Sequence, residues 1–170
     1  MYEIHKREQY FFDHSTLEHL SEFVRRFSKP CCLCAPLLGK HLEDKGVSVA
    51  VLDVDERFAT LRGFRRYDIY RPKWLGLEFD IIVCDPPFFS ISLSQLFTAI
   101  RMLSRFDCKQ SLLLSYLRRR SHAVIGTFAP YGLQPTGYLP AYQTVQECEK
   151  NEIEFFSNLP ETIVSQLRSA

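Results

Sequence analysis

The sequence has no apolar run approaching the ~18–20 residues of a membrane span, so an integral membrane helix is excluded from the reading. Charge of one sign is also missing: 21 Lys and Arg against 20 Asp and Glu leave a formal net charge of +1 over 170 residues. A small protein that wraps duplex DNA usually carries a clear basic surplus, because phosphate neutralisation dominates its affinity. Glycine is scarce, with 7 in the chain and no G-x-G-x-x-G run. That weighs against NAD or FAD, whose pyrophosphate needs close backbone approach. No internal repeat or low-complexity linker divides the chain, and Met1-Tyr2-Glu3-Ile4-His5-Lys6-Arg7 is too polar for a secretory signal. Hydrophobic residues make up 46%, enough for a full core, which rules out wholesale disorder. The expectation is a soluble, cytoplasmic, single domain over residues 1–170, with 1–28 as a helical N-terminal extension and 29–170 as the core.

The six cysteines follow neither a zinc spacing nor a disulfide framework. Cys31, Cys32 and Cys34 lie in one apolar run, Cys84 ends another, and Cys108 and Cys148 stand alone. They read as reduced thiols filling a core in a reducing compartment. His14, His19, His41 and His122 show no paired spacing, so no metal is expected. Basic clusters occur at Arg62, Arg65, Arg66, Arg71 and Lys73, and at Arg118-Arg119-Arg120. Solvated charge is the simpler reading of both; transient contact with nucleic acid or an acidic protein face is the other.

Strand and helix patterns alternate. Ser15-Thr16-Leu17-Glu18 is a capping-box pattern leading into Leu17, Leu20, Val24 and Phe27 at helical spacing. Strands are expected around Cys31–Cys34, Val47–Leu52, Phe64–Tyr67, Phe79–Cys84 and Ser111–Tyr116. Helices are expected over Leu37–Lys45, near Glu56–Leu61 and from Ser92 through Leu103, and a closing strand over Ile153–Ser157. Ala129–Pro140 is rich in Pro and Gly and reads as a loop that can hold a strand. Near-continuous apolar strands alternating with helices mean a parallel sheet covered on both faces, so the fold class is α/β, doubly wound and mostly parallel.

Ligands of such sheets sit beyond the carboxyl ends of the strands. Those ends carry Ala35-Pro36, Asp53, Asp68 and Asp85-Pro86-Pro87-Phe88. One carboxylate can hold a ribose diol and another an adenine amine, although a single strand-ending Asp more simply caps a turn. A given window matches D-P-P-[FY] by chance about once in 10⁵. The residue types suit an amine target. The Asp85 carboxylate and the Pro86 carbonyl can accept its two N–H bonds and leave the lone pair aimed at an incoming methyl. Successive prolines, Pro86 and Pro87, preorganise those acceptors, and Phe88 offers a flat face to a base or a lysine stem. A hydroxyl would satisfy one acceptor only, so the motif selects nitrogen.

With those residues in view, the chain resembles the small Rossmann-like family of probable N6-adenine methyltransferases. The likeness runs from Gln9 to Pro160 and rests on Gln9-Tyr10-Phe11-Phe12, Cys34-Ala35-Pro36, Leu52-Asp53-Val54-Asp55-Glu56-Arg57-Phe58 and Tyr67-Asp68. Asp85-Pro86-Pro87-Phe88, Asn151-Glu152 and Phe155-Phe156-Ser157-Asn158-Leu159-Pro160 complete it. The resemblance implies a class I fold and S-adenosyl-L-methionine as cofactor, bound by Ala35, Pro36, Asp53 and Asp68. Asp85 faces both cofactor and amine, with Pro86, Pro87 and Phe88 at the target. One branch of the family methylates lysine of elongation factor 1-alpha; another, a zinc-finger CCHC-type enzyme, methylates adenosine in ribosomal RNA. The lysine branch follows its motif with Ser-Glu-Glu, where this chain has Phe89-Ser90-Ile91-Ser92, and the zinc modules of the RNA branch have no counterpart here. The resemblance therefore implies an N-methyltransferase acting on adenine N6 in RNA or DNA, with a protein lysine, or a non-catalytic binding module, as alternatives. Tyr10, Phe11, Phe12 and Phe89 are candidate substrate contacts; Tyr10–Phe12 serve equally well as a hydrophobic staple on the first helix. So small a domain leaves few residues for target recognition, which points to an accessory subunit or a homodimer.

Overall fold

In the computed structural model, residues 1–145 and 152–169 are described; Cys148 and Asn151 lie outside the described residues. The strands are β1 (Pro30–Leu33), β2 (Ala50–Asp53), β3 (Phe64–Arg66), β4 (Ile81–Cys84), β5 (Leu112–Leu117), β6 (Gln134–Pro135) and β7 (Ile153–Ser157). The helices are α1 (His14–Val24), α2 (Pro36–Asp44), α3 (Leu93–Leu103), α4 (Ser121–Thr127) and α5 (Glu161–Arg168). One sheet forms in the order β3-β2-β1-β4-β5-β7-β6. β1 to β5 pair in parallel, and β7 runs antiparallel to both β5 and β6. Every residue of β1, β4, β5 and β7 is buried, as strands covered on both faces must be. The chain leaves β1 toward β2 and β3, then returns to the other side of β1 with β4, so the strand order reverses between β1 and β4. Open α/β sheets place their ligands at that switch point.

The α/β, mostly parallel architecture is the expected one; several boundaries differ for local reasons. The cap of α1 is Asp13, not Ser15: its Oδ1 accepts the Thr16 N–H at 2.8 Å, and the Thr16 hydroxyl turns instead to the Ala141 N–H at 3.1 Å. β2 starts at Ala50 rather than Val47, because its neighbour β1 offers no partner before Cys31; the Val47 N–H donates to the Leu42 carbonyl at 3.0 Å and closes α2. Glu56–Phe58 forms only a single 3-10 turn. Ser92 caps α3 by accepting the Gln95 N–H, and Leu93, Leu96, Ile100 and Leu103 face inward as their spacing predicts. The buried face of α1 belongs to the same hydrophobic cluster as the strands, so the N-terminal extension and the core share one interior. No helix among the described residues is long and apolar enough to cross a membrane.

Gly39 decides how close α2 lies to the sheet. A Cβ there would stand 2.5 Å from Val51 Cγ2 and 3.0 Å from Cγ1 on β2. α2 opens at Pro36, three residues after β1 ends, and its first turn (Pro36, Leu37 and Leu38) lines the cleft described below. Gly39→Ala is expected to destabilise by about 1–3 kcal/mol through overpacking, a fall of roughly 3–10 °C in Tm read by thermal unfolding.

Candidate active site

One cleft of about 410 Å³ opens at the carboxyl ends of β1, β2 and β4. Ala35, Pro36, Asp53, Asp68, Asp85, Pro86, Pro87 and Phe88 all line it, together with Tyr10, Phe11 and Phe12. Phe89 does not: its side chain is 58% exposed beyond the rim. Phe11 and Phe12 are buried, Phe11 edge-on to Phe58 at 6.2 Å and Phe12 against Tyr142 and Phe155 at 5.1 and 6.0 Å. Their rings thus do core work at the base of the cleft, while Tyr10 stacks on His5 at 5.0 Å nearer its mouth.

The turn after β1 is made without glycine. Cys34 adopts a left-handed φ of 57°, its N–H donates to Leu52 O at 2.9 Å, and Pro36 then sits in the first turn of α2, where no N–H is needed. A helix entry of this kind brings no phosphate cradle.

The three strand-end carboxylates share one design. Asp53 Oδ1 accepts the Asp55 N–H at 2.8 Å, and Asp68 Oδ1 accepts the Tyr70 N–H at 2.9 Å. Asp85 Oδ1 accepts both the Ser115 hydroxyl, at 2.6 Å, and the Tyr142 hydroxyl, at 2.7 Å. One oxygen of each carboxylate anchors it, and the turn-capping role is therefore real; the cleft receives what the second oxygen offers. For Asp85, no protein donor among the described residues reaches Oδ2, and Oδ2 is not a sealed atom. Burial pushes the Asp85 carboxyl, 9% exposed, up to about 7, although the Ser115 and Tyr142 hydroxyls pull the other way. Burial likewise raises Asp53 to about 6. Phe88, 6% exposed, stands edge-on between Tyr116 and Tyr142 at 6.0 and 6.2 Å, which fixes its ring plane.

The N-terminal segment straps the cleft, a feature no local pattern discloses. Glu8 accepts the Phe89 and Ser90 N–H groups at 3.0 Å each, tying the segment to the Asp-Pro-Pro-Phe turn. At the other side Arg57 reaches Asp55 Oδ2 at 2.8 Å, Gln9 Oε1 at 2.9 Å and the Tyr2 carbonyl at 2.9 Å. Burial works to raise Asp55, but hydrogen bonds from Arg57 and Gln9 hold it down at about 2. Arg57→Ala is expected to speed backbone hydrogen exchange over residues 2–11 about tenfold while leaving β4 and β5 protected, as mass spectrometry will read.

Solved structures share this architecture at low sequence identity. A ribosomal protein L11 methylase from Lactobacillus delbrueckii subsp. bulgaricus superposes with a TM-score of 0.53 at 15% identity, over 87% of this chain and 80% of that one. Magnesium protoporphyrin IX methyltransferase from Synechocystis PCC 6803, with S-adenosylmethionine bound, gives 0.54 at 12%, over 84% and 77%. An amino pentose methyltransferase from Micromonospora echinaspora gives 0.53 at 10%, over 86% and 91%. The fold is thus the Rossmann-like fold of class I S-adenosyl-L-methionine-dependent methyltransferases. No curated protein matches the chain by sequence. The model of the probable N6-adenine methyltransferase family matches residues 3–160, and the chain belongs to that family. It is a methyltransferase, and membership brings S-adenosyl-L-methionine as its cofactor.

The residues present fit that group. The molecule carries no phosphate, in keeping with a turn at Cys34–Pro36 that offers no glycine cradle. The volume lies within the range of small-molecule sites, and the lining combines apolar Leu37, Leu38, Val54 and Ile69 with the carboxylates of Asp53 and Asp68.

Proposed function

We propose that the protein transfers a methyl group to an exocyclic amine, adenine N6 of a nucleic acid. The observation that carries the reading is the arrangement of Asp85: anchored through Oδ1, open at Oδ2, and followed by Pro86 and Phe88 in the same cleft as Asp53 and Asp68. When bound, S-adenosyl-L-methionine supplies an activated methyl on a sulfonium. Asp53, on the end of β2, is suited to hold a ribose diol, and Asp68 an adenine amine. Asp85 Oδ2 and the Pro86 carbonyl accept the two N–H bonds of the target, which directs its lone pair away from both acceptors and toward the methyl. Nitrogen sheds a proton as it is alkylated, and a carboxylate held near neutrality is matched to receive it. Phe88, locked edge-on by two tyrosines, walls the position where a planar base would lie.

The surroundings support a nucleic acid over a lysine. Arg118-Arg119-Arg120 follow the carboxyl end of β5, and Arg120 lies 5.8 Å over the ring of Tyr116, which itself abuts Phe88. Arg118 is paired with Glu152 and Glu154 at 3.0 and 3.3 Å, whereas the exposed Arg119 and Arg120 suit a phosphate backbone, as a flipped or unpaired base requires. Glu8, an acidic group of the cleft lining, is tied through Oε2 to the Phe89 and Ser90 N–H groups, so its first task is to hold the N-terminal strap against the motif. The test is transfer of tritiated methyl into total RNA and into total protein of a lysate lacking the enzyme. Label in adenine N6 of RNA is the expected result, label confined to protein lysine would transfer the activity to the other branch of the family, and no label in either, from folded protein that binds the cofactor, would leave a binding module.

A further inference from the structure

Behind the cleft lies a phenol that touches neither the target nor the cofactor in the chemistry above and acts only on the residues that do. Tyr142 is 8% exposed, does not line the cleft, and donates its hydroxyl to Asp85 Oδ1 at 2.7 Å. Ser115, wholly buried on β5, donates to the same oxygen at 2.6 Å. Two hydroxyls on one carboxylate oxygen saturate it and fix the plane of the carboxyl group, leaving Oδ2 as the remaining acceptor. The tyrosine is held in turn by the start of the chain. The Asp13 N–H donates to Ala141 O and the Gln143 N–H to Phe11 O, both at 2.9 Å, so Phe12 and Tyr142 face each other as an antiparallel bridge. Their rings meet at 5.1 Å, and the Tyr142 ring also stands at 85° to Phe88.

We propose that Tyr142 and Ser115 are positioning residues for methyl transfer: their hydroxyls lock Asp85 with Oδ2 toward the target amine, and the Tyr142 ring squares Phe88 beside it. The inference rests on the reading that Asp85 receives that amine. Both donors also favour the ionised carboxylate, which is the form that accepts N–H bonds. The other titratable groups at this spot, Tyr142 itself and the Cys84 thiol, are both driven well above their ordinary values, by burial first, so the carboxyl is the group there that titrates near neutrality. The Phe11–Asp13 segment thereby gains a second role, since its backbone presents the tyrosine to the carboxylate.

The full-length chain and its Tyr142→Phe and Ser115→Ala variants, labelled with ¹³Cγ aspartate, will show the lock directly, with Asp85→Asn assigning the resonance. Loss of either hydroxyl is expected to move the Asp85 titration midpoint upward by roughly half to one pH unit. Tritium transfer into total RNA is expected to fall about fivefold to tenfold in turnover, with calorimetric affinity for S-adenosyl-L-methionine unchanged. Ser115→Ala serves as an independent arm if Tyr142→Phe disturbs folding, since it leaves the Phe12–Tyr142 packing intact. A midpoint unmoved in both variants overturns the lock, and a moved midpoint with full turnover overturns the positioning role. Full turnover in Asp85→Asn would instead overturn the reading of the amine site, a result that does not involve Tyr142.

Discussion

Asp85→Asn is expected to lower methyl transfer about 10²–10³-fold while leaving the affinity for S-adenosyl-L-methionine within a few-fold of the parent. The amide oxygen can still satisfy the Ser115 and Tyr142 hydroxyls, which fix it on the Oδ1 side. That orientation turns an NH₂ toward the cleft, and a donor then meets the N–H groups of the target amine. The amine loses one of the two acceptors that aim its lone pair, and the proton it sheds has no carboxylate to receive it; alignment and proton transfer each contribute on this scale. Single-turnover assays with saturating cofactor will separate the chemical step from binding. Turnover within threefold of the parent would remove the carboxylate from the reaction.

The same substitution is expected to make the cofactor-free protein more stable at high pH. Unfolded, the Asp85 carboxyl titrates at its ordinary value near 3.8; folded, burial moves it to about 7. Between these values the folded chain binds the extra proton, so stability falls as pH rises through the window. The contribution is fully present below pH 3.8 and lost once pH passes 7. Its size is at most about 4 kcal/mol. Asparagine never ionises. Asp85→Asn is therefore expected to unfold at a Tm roughly 5–10 °C above the parent at pH 8, with the difference gone near pH 4. Asp53, raised to about 6, slopes the parent curve the same way, whereas Asp55, lowered to about 2, contributes stability that is present above 3.8 and lost as pH falls through 2. Thermal unfolding at intervals from pH 4 to 8 will read Asp85 and Asp53, and extending the series down to pH 2 will read Asp55. An identical pH profile for parent and variant would mean that Asp85 is ionised in the fold without penalty.

Much of this molecule can be read in its residues. Strands buried on both faces leave unbroken apolar runs, which is why β1, β4, β5 and β7 are legible without any partner in view. Asp-Pro-Pro-Phe is rare enough and sharply enough placed to mark the cleft, and strand-end carboxylates follow from the rule that ligands lie at the carboxyl ends. The elements that escape reading have weak faces. α5 buries only Val164 and Leu167, and α4, entered through three arginines, buries only Val124. Asp13 displaces Ser15 as a cap because both sit within reach of the helix start, and spacing alone does not choose between two good acceptors. Tyr142 carries no local pattern at all. It is a lone tyrosine in a segment without periodicity, and only the pairing with Phe12, 130 positions earlier, brings it to Asp85.

The placement of β7 between β5 and β6 has a consequence for biosynthesis. β6 is translated first yet has no seat at the sheet until β7 arrives, since among the described residues it pairs with that strand alone. A nascent chain paused after Leu117 and before Ile153 therefore leaves that edge of β5 without its strand partner. On the ribosome, the protein stays an open-edged intermediate in need of protection until its closing strand clears the exit tunnel.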